Sequence, residues 1–221
     1  MRASWIQTDT DMMMRPTLLA VLFTALVPAA LAETPKPAAE APKIAYGLLL
    51  KQGEKLIFAP CRDRSYALIE DVSGDQSVLK ALDSVGLSQG KKLYVELKGV
   101  VEGGVLKASS VNMARTEGRC QMPGTNEEVW RASGNEPGWV LAAGGEHVSL
   151  KRLGKPEISV PYTPFRREGK LALFEGNSSA GRLSVRLENV PCQDTMAEAV
   201  FNWSASVTLE GQTFKGCAWE R

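Results

Sequence analysis

Residues 92–113, KLYVELKGVVEGGVLKASSVNM, decide the fold class. Lys92 to Val100 alternates apolar and polar residues, the period of a strand with one face buried. Gly103-Gly104 supplies a turn, and Val105 to Met113 resumes the alternation. Working back towards the N-terminus, Ile44 to Lys51 reads as a strand and Gln52-Gly53-Glu54 as its turn. Lys55 to Ala59 follows, then Ser65 to Glu70 after the turn-forming Arg62-Asp63-Arg64. Ser77 to Val85 differs: Val78, Leu79, Leu82 and Val85 recur at helical spacing. The segment 44–122 is thus expected to hold about five strands, with one helix between the third and fourth.

Towards the C-terminus, Gln121 to Glu127 (QMPGTNE) has Pro, Gly and Asn and no periodicity, which marks a domain boundary. Beyond it, 123–221 offers short alternating strands at 129–133, 138–142, 147–152, 157–162, 170–175, 183–187, 201–209 and 212–215. This pattern suits an antiparallel barrel or sandwich. Asp194 to Ala199 is the one helical candidate there. The expected class is mainly all-β, with two small antiparallel domains.

The N-terminus reads as an export signal. Arg15 precedes the apolar run Leu18 to Val27, Pro28 breaks it, and Ala30-Leu31-Ala32 offers small residues at −3 and −1. A run of about ten apolar residues falls short of the roughly twenty that span a bilayer. Asp9 and Asp11 suit a signal poorly, so the expected start is Met12, Met13 or Met14. Glu33, not Cys, follows the expected cleavage point, so no lipid anchor is expected. Residues 33–43 (ETPKPAAEAPK) read as an extended tether with almost nothing to bury. No later apolar run is long enough for a membrane span, and the expected location is the periplasm.

The chain carries 26 Lys and Arg against 25 Asp and Glu. Removing residues 1–32 takes two of each sign, so the balance stays close to neutral. Such a charge gives no long-range attraction for nucleic acid or anionic lipid. The four cysteines, Cys61, Cys120, Cys192 and Cys217, all lie in the exported part. An even count in an oxidising compartment argues for two bridges, for which three pairings exist. Pairing sequence neighbours keeps each bridge inside one half, with chain-entropy contributions of about 4 and about 3.5 kcal/mol. A metal site is disfavoured by the lack of C-x-x-C spacing and the single histidine. Met113, Met122 and Met196 are scattered singly, unlike a soft-metal cluster. No metal or organic cofactor is expected.

No catalytic constellation stands out. A Ser-His-Asp triad would need His147, which sits at a hairpin tip entering a strand. Gly103-Gly104 and Gly144-Gly145 precede strands rather than helices and read as turns, not phosphate cradles. Asn177 and Asn202 match a glycosylation sequon, a match that would mean nothing if the chain is bacterial.

Two segments carry a resemblance. One is Trp130-Arg131-Ala132-Ser133-Gly134-Asn135-Glu136-Pro137-Gly138-Trp139. The other is Cys192-Gln193-Asp194-Thr195-Met196, with Gly216-Cys217-Ala218 later. Over residues 129–218 the chain resembles bacterial envelope proteins, many of them lipoproteins, that share W-x-A-x-G-x-E-P-x-W, C-x-D-x-M and a terminal G-C-A. That family has no established activity, so the resemblance implies a domain boundary and a Cys192–Cys217 bridge. Ala197 stands where the family has Ser. The first half, through Phe58-Ala59-Pro60-Cys61, Tyr66-Ala67-Leu68, GKKLYVELKG (90–99) and Cys120, resembles the oligonucleotide/oligosaccharide-binding (OB) domain of the lipoprotein NlpE. This resemblance implies an OB-like five-stranded barrel with one helix and a Cys61–Cys120 bridge. It implies no copper site, whose ligand motifs lie outside the match.

These readings favour a non-catalytic binding or sensing protein whose partner is an envelope protein or a glycan. Two alternatives stand beside this reading. An inhibitor of host lysozyme lacks support, because Gly181-Arg182-Leu183 does not match the S-G-x-x-Y loop of such inhibitors. A cell-wall hydrolase would need two carboxylates converging in a cleft. Trp130, Gly134, Glu136, Pro137 and Trp139 are expected to form a structural corner, with Pro137 and the flanking glycines enforcing a reversal. Glu136 would either accept backbone N–H groups there or point at a ligand. Asp194 and Met196 complete the candidate set.

Overall fold

Alternation in the sequence becomes alternation of burial. Leu93, Val95 and Leu97 are all fully buried in one core, and the residues between them, Tyr94 and Glu96, point out of it. The computed structural model describes residues 40–116, 118–120 and 127–221. The expected signal, residues 33–39 of the expected tether and nearly all of the expected break at 121–127 lie outside the described residues.

The first unit comprises β1 (Lys43–Gln52), β2 (Lys55–Pro60), β3 (Ala67–Asp71), α1 (Ser77–Asp83), β4 (Leu93–Glu102) and β5 (Val105–Arg115). The strands pair in the order β1-β2-β3-β5-β4, and β4 pairs back with β1, closing a five-stranded barrel. Only β3 and β5 run parallel. A five-stranded barrel with one helix between the third and fourth strands is as expected. Ser73 Oγ and Asp71 Oδ2 accept the first free N–H groups of the helix, from Val78 (3.1 Å) and Leu79 (2.9 Å). Val78 and Leu82 then join the barrel core beside Leu49, Phe58 and Leu106.

The second unit comprises β6 (Glu128–Asn135), β7 (Gly138–Gly144), β8 (His147–Arg152), β9 (Ile158–Pro161), β10 (Arg166–Glu168), β11 (Leu171–Ser178) and β12 (Gly181–Glu188). It continues with β13 (Cys192–Asp194), β14 (Ala199–Phe201), β15 (Trp203–Leu209) and β16 (Gln212–Glu220). Nine of these form a curled antiparallel sheet in the order β10-β11-β12-β15-β16-β6-β7-β8-β9. Its concave face holds a core of Trp130, Trp139, Leu141, Phe174, Leu187, Trp203 and Phe214. Trp130 packs edge-on against Trp203, with centroids 5.0 Å apart, and the Arg167 guanidinium lies over both rings.

β13 and β14 belong elsewhere. They form a hairpin that extends the first sheet, with Ala199, Val200 and Phe201 pairing with Arg115, Ala114 and Met113. The helical candidate at 194–199 is therefore corrected to a turn between two strands. The cause is local: Asp194 Oδ1 accepts the N–H groups of Met196 and Ala197 at 3.0 Å each, and Glu198 takes a positive φ of 42°. The expected strand 201–209 breaks at Asn202, whose N–H donates to the Asn112 carbonyl at 3.1 Å. There the chain leaves the first sheet and enters the second.

The disulfides are Cys61–Cys120 and Cys192–Cys217. Each closes within one half of the sequence, but the second joins β13 of the first sheet to β16 of the second. Among the described residues no helix is long and apolar enough to cross a membrane.

Candidate functional site at the junction of the two sheets

The outward residues of the first barrel are not all solvated. Strand register sets two parallel rows on its outer face. One runs Tyr46, Glu96, Met113, Phe201, Cys192, and the next runs Leu48, Tyr94, Arg115, Ala199, Asp194. The second sheet covers part of this face with residues pointing away from its own core: Cys217 and Trp219 from β16, beside Ser133 and Arg131 from β6. Trp219 stacks on Phe201 with centroids 5.0 Å apart.

A polar network crosses this seam. A bulge in β5 leaves Asn112 as an extra residue between those that pair with Glu96 and Leu97. Its amide donates to Glu96 Oε2 (2.8 Å) and to the Glu220 carbonyl (2.8 Å), and its Oδ1 accepts the Glu220 N–H (3.0 Å). Tyr94 Oη donates to Glu96 Oε1 at 3.0 Å. Glu96 is only 1% exposed and Asn112 only 4%. Burial pushes the Glu96 carboxyl above its ordinary range, against the opposing pull of Tyr94, Asn112, Arg221 and Arg115. Burial and the neighbouring Glu96 likewise raise the Tyr94 phenol.

Beside the network lies a cavity of about 260 Å³, lined among others by Tyr94, Glu96, Arg115, Arg131, Trp219 and Arg221. Three guanidinium groups converge on it. Arg131 is paired with Glu128 (Nε–Oε2 2.8 Å), and Arg221 reaches the same oxygen at 3.7 Å. Arg115 lies over the Tyr94 ring, 5.4 Å from its centroid. Arg115 Nε and Trp219 Nε1 are buried and find no hydrogen-bond acceptor among the described residues.

The residues singled out in the sequence meet next door. A furrow of about 500 Å³ shares Ser133 and Asp194 with the cavity and is lined by Gly134, Asn135, Glu136, Met196 and Lys215. Asn135 Nδ2 donates to both Asp194 oxygens, at 2.9 and 3.0 Å, so the two motifs are joined by a bidentate contact. Gly134 and Gly216 are required by close approach. A Cβ at Gly134 would lie 2.3 Å from the Lys215 carbonyl oxygen, and one at Gly216 would lie 1.9 Å from that of Ser133. Trp130 and Trp139 face the second core, and Trp139 Nε1 donates to the Lys215 carbonyl at 3.2 Å. Glu136 and Pro137 are joined by a cis peptide at the exposed β6–β7 turn. The Glu136 carboxylate makes no hydrogen bond among the described residues. Met196, 76% exposed, stands at the tip of the β13–β14 hairpin.

No family model matches the chain, and neither a curated protein nor a solved structure matches it.

The residues that sequence reasoning missed are Tyr94, Glu96, Asn112, Arg115, Trp219 and Arg221. One signal was available: Tyr94 and Glu96 are neighbours on the outward face of a strand whose inward face is wholly aliphatic. Elsewhere, the mouth of the first barrel holds an apolar cavity of about 610 Å³ lined by Tyr46, Phe58, Pro60, Tyr66 and Leu106 among others. Lys43, Arg62, Asp63 and Ser65 also line it, but none of them carries a buried donor without a partner, whereas the seam has two, Arg115 Nε and Trp219 Nε1. His147 lies exposed at the start of β8, and no group of His, Cys, Asp or Glu among the described residues could hold a metal ion.

Proposed function

We propose that the chain is a non-catalytic binding protein of the bacterial cell envelope, and that its ligand site is the cleft where the two β units meet. The observation carrying this reading is that Arg115 and Trp219, whose buried Nε and Nε1 donors have no acceptor among the described residues, both line one cavity. A buried donor without an acceptor costs about 1–3 kcal/mol, and such groups are rare in folded chains unless something else satisfies them. A ligand acceptor would do so. The hydrolase reading is disfavoured by the same geometry. Both Glu96 oxygens are held by Tyr94 and Asn112, and both Asp194 oxygens by Asn135, with turn N–H groups as well.

In this reading residues 1–32 are a removable export signal and the disulfide-bonded chain works in the periplasm. The first barrel is an OB-fold of the NlpE type, and the second unit is of the envelope family that its tryptophan and cysteine motifs resemble. The partner is an envelope protein or a glycan. The test is photo-cross-linking in cells with a reactive side chain at position 196, beside the cleft, and at position 153, whose leucine is 83% exposed in the β8–β9 turn. The expected result is a discrete adduct from 196 and none from 153. Equal labelling at both positions refutes the cleft as the binding site.

A further inference from the structure

We infer that the cavity between the two sheets binds an oxyanion, a carboxylate or phosphate carried on a short apolar body, through Arg115, Trp219 and the Arg131–Arg221 pair. This deepens the binding reading above and rests on it.

The lining is rich in donors and poor in free acceptors. Arg115, Arg131 and Arg221 bring three fixed positive charges, since guanidinium stays protonated in proteins. One carboxylate, Glu128, serves two of them, Arg131 at 2.8 Å and Arg221 at 3.7 Å. Arg115 forms no salt bridge among the described residues, and its guanidinium stacks on Tyr94. The other acids on the wall are already engaged. Glu96 is buried and held by two side-chain donors, and Asp194 accepts from Asn135 and from two backbone N–H groups. Arg115 and Trp219, which carry the two donors left over, both line the cavity, and a side-chain shift would turn their buried N–H groups to a ligand. A donor set that includes a guanidinium without a salt-bridge partner asks for an anionic acceptor, and an oxyanion offers several lone pairs to a guanidinium fork and an indole together.

Size and apolar lining define the rest of the ligand. The cavity holds about 260 Å³, and Met113, Ala199 and Phe201 supply apolar wall. That is below the usual range of about 300–1,000 Å³ for pockets that enclose a whole drug-sized molecule. It suits a small acid, or the charged end of a longer chain whose body leaves along the furrow past Asp194 and Met196.

The test is a titration of the purified chain followed by the ¹H–¹⁵N signal of the Trp219 indole. The probes are propionate, the dipeptide Ala-Ala, its C-terminal amide, and inorganic phosphate, with chloride at matched ionic strength as control. A saturable shift with propionate and Ala-Ala, lost in the amide, identifies a carboxylate ligand, and a shift with phosphate alone identifies a phosphate ligand. Either supports the inference. Arg115→Met is expected to weaken binding at least tenfold. Trp219→Phe keeps the ring stacked on Phe201 and removes one donor, so it is expected to weaken binding severalfold, read by the Arg115 Nε signal. If Arg115→Met fails to fold, Trp219→Phe decides alone. No shift beyond the chloride control overturns the inference, as does unchanged affinity in every folded variant. If the adduct at position 196 persists while no oxyanion binds, this inference fails and the wider binding reading stands. Loss of both removes both.

Discussion

Asn112→Ala is expected to destabilise the protein by about 3–5 kcal/mol, although the substitution removes only one amide. The wild-type side chain makes three hydrogen bonds of 2.8, 2.8 and 3.0 Å, one to a buried carboxyl and two to a backbone peptide of the other sheet. Each satisfied bond contributes about 1 kcal/mol net, and a partner left buried without one costs about 1–3 kcal/mol. Glu96 Oε2 is stranded in a fully buried site and falls at the upper end. The Glu220 peptide is only half-buried and falls at the lower end. Urea unfolding at pH 7 without reductant, followed by tryptophan fluorescence, measures the loss. Ser109→Ala serves as the control, because Ser109 lies on the same strand and its exposed hydroxyl bonds only the Lys98 carbonyl (3.0 Å). A loss below about 1 kcal/mol for Asn112→Ala, or one equal to that of Ser109→Ala, would refute the claim that the seam network stabilises the fold.

Glu96 also gives the protein a signed pH dependence. Because burial raises its folded pKa above the ordinary value of 4.5, its contribution to stability is intact below that value and is lost as pH rises through the higher folded one. Glu96→Gln can still meet Asn112 with its oxygen and Tyr94 with its amide, so it should flatten this decline; identical urea midpoints for both proteins across pH 4–8 would contradict the assignment. Replacing Cys192 and Cys217 together by Ala should cost about 3.5 kcal/mol in calorimetry, from loss of the 25-residue closure; a loss under 1 kcal/mol would mean the bridge adds nothing to the seam. Glu136→Gln should leave the melting temperature unmoved, since the exposed carboxylate holds no bond; a fall of about 3 °C, near 1 kcal/mol for a domain of this size, would reveal a structural role.

The first barrel was legible because its inward and outward residues alternate in sequence as they do in space. Leu93, Val95 and Leu97 declare the buried face of β4, and Val78 and Leu82 declare the helix that packs on the barrel. The second half of the chain was legible for the same reason, apart from its short pieces. β10 has three exposed residues and no alternation to read. β13 and β14 have three each, and the apolar run Ala199-Val200-Phe201 merges with the following strand on paper. What parts them is the backbone at Asn202, bonded to Asn112 ninety positions earlier. No local pattern encodes such a contact.

The cleft was hidden for a more general reason. Alternation tells which residues leave a barrel's core, and it cannot tell whether the outward face meets water or another sheet. Tyr94, Glu96 and Arg115 occupy outward positions on the first barrel, as do Arg131 and Trp219 on the second, and either half alone reads as an ordinary polar surface. The hairpin of β13 and β14, a piece of the second half paired into the first sheet and tied back by Cys192–Cys217, sets one surface on the other together with the Asn112–Glu220 hydrogen bonds. Joining them buries Glu96 where a charge is costly and leaves donors of Arg115 and Trp219 unpaired. Two apolar faces would have joined the halves at less cost. A polar seam with donors to spare fits the proposed binding site, and the contact of Asn135 with Asp194 forms part of the adjoining furrow.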